Sequence, residues 1–182
     1  MTQNVARSVS RSADVAGLRL HFLDYHPDDA PDALSERPVM VCLHGGAANA
    51  HWFDFVAGPF VDRFRVVSLD LRGHGDSEWD PDADYSYIRY AADVAAFIEQ
   101  FSPAPVVLVG HSMGGMVSLV TAGSAPDRVA ALVVIDSMMQ MTPERASTLR
   151  GIGEGKGRSF TSRDAFVEGF KIRPAGTSAT PD

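Results

Sequence analysis

The chain has 182 residues, 45% hydrophobic and 21% charged, with a formal net charge of −7. That length and apolar content suit one ordinary globular domain and exclude a chain disordered throughout. The acidic balance, with no basic cluster, argues against an electrostatic grip on nucleic acid or anionic lipid, which needs concentrated Lys and Arg.

In chain order, the opening MTQNVARSVSRSADVAG carries arginines but no apolar core of a signal peptide. No later stretch approaches the ~18 apolar residues of a membrane span, so a soluble cytoplasmic protein is expected. Leu18 to Tyr25 alternates in character, which predicts a half-buried antiparallel edge strand. Four short apolar runs follow: Val39–Leu43, Arg65–Asp70, Val106–Val109 and Ala131–Asp136. Runs of this kind predict strands buried on both faces, as in a parallel sheet with helices on each side. The single cysteine, Cys42, has no internal disulfide partner and reads as a small buried thiol in the first of these runs.

Tyr87, Tyr90, Ala91, Val94, Phe97, Ile98 and Phe101 recur at helical spacing, and Ser86 is placed to cap that helix. After Asp136 the pattern changes. Thr142-Pro143-Glu144 predicts a helix start, Gly151–Gly157 a loop, and Thr161-Ser162-Arg163-Asp164 a capping box before Ala165, Phe166 and Phe170. Pro174 to Asp182 carries no core signal. Strands alternating with helices imply right-handed βαβ units in an α/β, doubly wound, mostly parallel sheet. Ligands bind such sheets beyond the carboxyl ends of the strands.

Two loops at those ends carry chemistry. Gly110-His111-Ser112-Met113-Gly114 is a G-x-S-x-G between an apolar run and a helical segment. With glycine near ~7% of residues the pattern is weak alone, but this context lets a sharp turn project the Ser112 hydroxyl. The following helix start presents unsatisfied N–H groups to developing negative charge. Leu43-His44-Gly45-Gly46-Ala47 follows the first buried run. An acyl-transfer site needs two N–H donors about 3 Å from the oxyanion, and the natural pair is Met113 N–H with that of Gly46 or Ala47. A third loop, Asp70-Leu71-Arg72-Gly73-His74-Gly75-Asp76-Ser77, reads as a self-hydrogen-bonded brace rather than as catalytic groups. No HExxH, CxxC or GxxxxGK[ST] is present, so neither a metal nor a nucleotide cofactor is expected.

The order HGG, DLRGHGDS, GHSMGG resembles the α/β-hydrolase superfamily from roughly residue 17 to 136. The resemblance implies an eight-stranded sheet, a Ser nucleophile, an acid after a late strand, a His after the last strand, and a cap inserted after the sixth strand. It makes Ser112 the nucleophile and gives the oxyanion donors to Gly46 and Met113. Ser112 disfavours the dehalogenase and epoxide-hydrolase branches, which carry Asp there. Asp136 sits where a minority of such enzymes carry the acid, though capping the next segment is its simpler role. Residues 1–136 are thus expected to form the N-terminal part of the core, C-terminally incomplete, and 137–182 the start of a truncated helical cap.

All six histidines, His21, His26, His44, His51, His74 and His111, precede Ser112. Neither His44, in its loop, nor His111, beside the serine in a tight elbow, is expected to act as base. A serine without an adjacent base is a poor nucleophile. The expectation is therefore the N-terminal part of a longer serine hydrolase (esterase, lipase-like or carbon–carbon bond hydrolase) acting on a small-molecule ester or other acyl substrate. The alternative is a non-catalytic binding protein on the same scaffold. If the sheet ends at the sixth strand, Leu132 to Ile135 form an uncovered apolar edge.

Overall fold

The computed structural model describes residues 7–25, 37–138 and 160–165. The chain runs through β1 (Ser8–Val15), β2 (Leu18–Tyr25), β3 (Val39–Leu43), a 3-10 turn (Ala50–Phe53) into the single-turn helix α1 (Asp54–Ala57), β4 (Arg65–Leu69), α2 (Tyr87–Phe101), β5 (Val106–His111), α3 (Met113–Ser124) and β6 (Val129–Ile135). The strands make one sheet in the order β1-β2-β4-β3-β5-β6. β4, β3, β5 and β6 run parallel, while β2 is antiparallel to β4 and β1 to β2. The α/β, mostly parallel sheet read from the four apolar runs is present.

Continuous apolar strands are required because this sheet is covered on both faces. Val39, Val41 and Leu43 of β3 enter one core cluster with Leu20, Phe22, Val94, Phe97 and Val117, whereas Met40 and Cys42 enter the other with Phe53, Ala57 and Val66. Successive side chains of a strand point to opposite faces, so a buried five-residue run feeds both layers. Ser86 caps α2 as expected, its Oγ accepting the Arg89 N–H at 3.3 Å. Phe97 and Phe101 stack at 4.4 Å and meet the ring of Phe22 edge-on at 5.2 and 5.0 Å, which ties α2 to the sheet.

Two expectations require correction. β2 is antiparallel but neither an edge nor half-buried: β1 lies outside it, and only Arg19 of its eight residues is exposed. Its polar residues are buried because they are paired. Asp24, 1% exposed, holds Arg65 Nη2 at 2.7 Å and Arg11 Nε at 3.2 Å. β6, in turn, is not buried on both faces. Among the described residues it has one strand neighbour, and Val133, Val134 and Ile135 are 45%, 37% and 41% exposed, which gives the apolar edge anticipated at the sixth strand.

The chain divides into two compact units, Met1–Gln140 and Met141–Asp182. The first contains the whole sheet. In the second, a helical turn begins at Arg163, capped by Ser162 rather than Thr161: the Ser162 Oγ accepts the Ala165 N–H at 3.1 Å. The expected helix start at Thr142, the loop Gly151–Gly157 and most of the expected cap lie outside the described residues.

Candidate active site

β5 ends at His111, and the next residue turns sharply. Ser112 has φ +50° and ψ −113°, a conformation that side-chain-bearing residues rarely adopt and that costs about 1–3 kcal/mol. The surroundings hold it there. Its N–H donates to Ile135 O at 2.9 Å, and its carbonyl accepts the N–H of Gly115 at 3.0 Å and of Met116 at 3.3 Å. The Ser137 hydroxyl donates to the same carbonyl at 2.6 Å. α3 starts at Met113, so its first N–H groups lie beside the half-buried serine.

Small residues permit this turn. A Cβ on Gly110 would strike Gly114 O and the Ser118 hydroxyl, and one on Gly114 would strike Leu43 O and lie 2.6 Å from His44 O. α3 therefore rests directly on the backbone at the end of β3, where the HGG loop begins. A Cβ on Gly45 would lie 3.2 Å from Ser112 Cβ, and one on Gly46 would lie 3.9 Å from Met113 Sδ. The structure thus brings Ser112, Met113 and Gly46, the three residues named from sequence, to one corner of the sheet. Among the described residues, neither the Gly46 nor the Met113 N–H has a hydrogen-bond acceptor. Ala47, the other donor considered, has φ +60°.

The DLRGHGDS loop is a brace, as its glycines and terminal polar residues suggested. Asp70, 2% exposed, accepts the Ala50 N–H on Oδ1 at 2.6 Å. Its Oδ2 accepts from His21 Nδ1 at 2.7 Å and from the Asp76 N–H at 2.9 Å. The Ser77 hydroxyl donates to Asp70 O at 2.7 Å. Arg72, also 2% exposed, forks onto Asp93 of α2 with two bonds of 2.6 Å and pairs with Asp80. A bidentate guanidinium–carboxylate pair fixes orientation as well as position.

No described histidine reaches the serine hydroxyl. His44 is fully buried with both nitrogens engaged: Nδ1 donates to Gly45 O at 2.8 Å, and Nε2 accepts the Leu71 N–H at 3.1 Å. Burial holds its pKa below the usual imidazole value, which keeps the ring neutral. His74 Nδ1 donates to Arg72 O at 3.0 Å, and His51 contacts Asp54 at 2.9 Å. His111 stacks on Trp52, 4.7 Å between ring centroids, and among the described residues its buried Nδ1 has no partner. His21 lies on β2, three strands from β5, roughly 14 Å away at ~4.8 Å per strand. His26 lies outside the described residues. Asp136 is exposed at φ +45° and makes no hydrogen bond to Ser112 or to a histidine among the described residues.

Sequence reasoning missed Ser137, Gly45 and Trp52. Ser137 acts through a carbonyl that only strand pairing brings near, and no local pattern marks it. Gly45 was visible as part of HGG, but its contact with His111 and Ser112 depends on β3 and β5 being neighbours. Among the described residues there is no cluster of His, Cys, Asp and Glu suited to a metal ion, and no helix long and apolar enough to cross a membrane.

Comparison with known proteins identifies the family and the fold. The chain is 39% identical over 131 residues to the sn-1-specific diacylglycerol lipase ABHD11 of Mus musculus, covering 71% of this chain and 41% of that protein. It is 33% identical over 141 residues to protein phosphatase methylesterase 1 of Bos taurus, covering 74% and 37%. The crystal structure of E-2-(acetamidomethylene)succinate hydrolase superposes with a TM-score of 0.70 at 29% identity, over 80% of this chain and 50% of that one. The chain thus spans half or less of the length of these relatives. The alpha/beta hydrolase fold model matches residues 38–178, and with the sheet order and the turn at Ser112 as described, the chain belongs to the alpha/beta hydrolase fold family.

Proposed function

We propose that this chain carries the nucleophile and oxyanion half of a serine hydrolase that works by acyl transfer. The observation that supports it is the strained Ser112 at the head of α3, with the open N–H groups of Met113 and Gly46 on the two loops that meet there. In this reading the Ser112 Oγ attacks a substrate carbonyl, and the two N–H groups receive the charge that forms on its oxygen. The proton passes to an imidazole and then to the leaving group, and water completes the cycle by the reverse route. That imidazole belongs to a histidine encoded outside these 182 residues. The substrates are small esters or related acyl compounds, in keeping with relatives that are a diacylglycerol lipase, a methylesterase and a succinate-derivative hydrolase.

A second reading, a scaffold that binds without turnover, is favoured by the engagement of the described histidines elsewhere. Added imidazole separates the two. With p-nitrophenyl butyrate, the rate difference between the chain and its Ser112→Ala variant should be negligible in plain buffer and should rise, and saturate, with imidazole. No difference at any imidazole concentration would favour the binding scaffold.

A further inference from the structure

A hydrogen-bonded row of serine, histidine and aspartate lies toward the β1 edge of the sheet, away from Ser112 at the end of β5. The Ser10 hydroxyl is 2.8 Å from His21 Nε2, and His21 Nδ1 is 2.7 Å from Asp70 Oδ2. The register explains why these side chains meet. Ser12 stands directly across from His21 and Ser10 across from Leu23, so Ser10 and His21 are diagonal neighbours on one face of the β1–β2 pair. His21 and Asp70 are held in the interior, 5% and 2% exposed, while Ser10 is exposed.

The partners also fix the protons. Asp70 receives two fixed donors, the Ala50 and Asp76 N–H groups, so its carboxylate acts as an acceptor toward the His21 ring as well. A proton therefore resides on His21 Nδ1; in the singly protonated ring Nε2 carries the lone pair, and the Ser10 O–H donates to it. That is the protonation pattern by which a histidine, oriented by a carboxylate, activates a serine. β1 is the outer strand of the sheet, so among the described residues its free side has no strand partner. Backbone N–H groups alternate in direction along a strand, which leaves an outward donor at Ser10 or at both of its neighbours.

We propose that Ser10, His21 and Asp70 form a second nucleophilic site, at which the exposed Ser10 hydroxyl is acylated by small activated esters. The Ser10 proton passes to His21 Nε2 as Oγ bonds to the acyl carbon. The bond from that carbon to the leaving oxygen then breaks, and the leaving group takes the proton from Nε2. Ser10 and Ser112 are four strands apart, roughly 19 Å at ~4.8 Å per strand, so the two sites act separately. The proposal does not rest on the role of Ser112.

The test uses the full chain with Ser112→Ala, an aryl acetate or a fluorophosphonate as probe without added imidazole, and peptide mapping by mass spectrometry. Ser12 is exposed on the same strand and face and serves as the internal reference. Ser10 should label about 100-fold faster than Ser12, the low end of general-base assistance. His21→Gln should return Ser10 to the Ser12 rate with the circular dichroism unchanged. If that variant unfolds, the ratio of Ser10 to Ser12 labelling in the His21-containing chain decides alone. Equal labelling of Ser10 and Ser12 would overturn the proposal.

Discussion

Gly114 and Gly123 lie in the same helix, and the structure assigns Gly→Ala opposite effects at the two positions. At Gly114 a Cβ would strike Leu43 O and sit 2.6 Å from both His44 O and Leu43 C, all backbone atoms that cannot rotate aside. Overpacking against fixed neighbours costs about 3 kcal/mol, the upper part of the usual range, and the helix preference of Ala over Gly returns about 1 kcal/mol. A net loss of about 2 kcal/mol follows. At Gly123 a Cβ meets nothing within 4 Å and the residue does not have positive φ. Only the propensity remains there, a gain of about 0.5 kcal/mol near the helix end. With a urea m-value of about 2 kcal/mol/M, the two midpoints should lie more than about 1 M apart, on either side of the parent chain. Urea unfolding followed by far-UV circular dichroism measures this. A Gly114→Ala midpoint equal to or above the parent's would refute the close seating of α3 on the end of β3, and with it the approach of Met113 to the Gly46 loop.

Three further outcomes are expected. Asp93→Ala leaves the buried Arg72 with Asp80 and the Asp84 carbonyl as partners. It should lower the unfolding free energy by about 3 kcal/mol, the low end for breaking a buried pair, as read from the urea midpoint. Because burial holds the His44 pKa down, the unfolded chain takes up a proton near pH ~6.5 that the folded chain refuses. Stability should therefore be fully present above that value and decline as pH falls through it, and the decline in urea midpoint from pH ~7.5 to ~5.5 should be smaller in His44→Gln. Burial pushes the Cys42 thiol up to about 12. Native protein should give no fast reaction with Ellman's reagent at pH ~8, whereas urea-unfolded protein should release one equivalent per chain.

The elements and the corner of the site were legible in the sequence because their signals are local. A buried parallel strand must be apolar throughout, so Val39–Leu43 and Val106–Val109 announce themselves. The glycines of HGG and GHSMGG mark close backbone approaches that the structure contains at Gly110 and Gly114. The failures come from pairing over long distances in the chain. β1, Ser8–Val15, has one buried residue in eight and is a strand because β2 pairs with it, which no periodicity within it reveals. β2 looked half-exposed because His21 and Asp24 are polar, yet a polar group is buried at little cost when its partners are fixed. Those partners, Asp70 for one and Arg65 for the other, stand more than forty residues later in the chain. The same limit hid Ser137.

The most direct test of the central claim is to identify which serine of the intact 182-residue chain is modified by a fluorophosphonate, with and without saturating imidazole. A Ser112 peptide that carries the label when imidazole is present, and hardly any when it is omitted, is the predicted result. Full labelling of Ser112 in plain buffer would show that a base is already in place, and no labelling under either condition would show that the turn at Ser112 does not present a nucleophile.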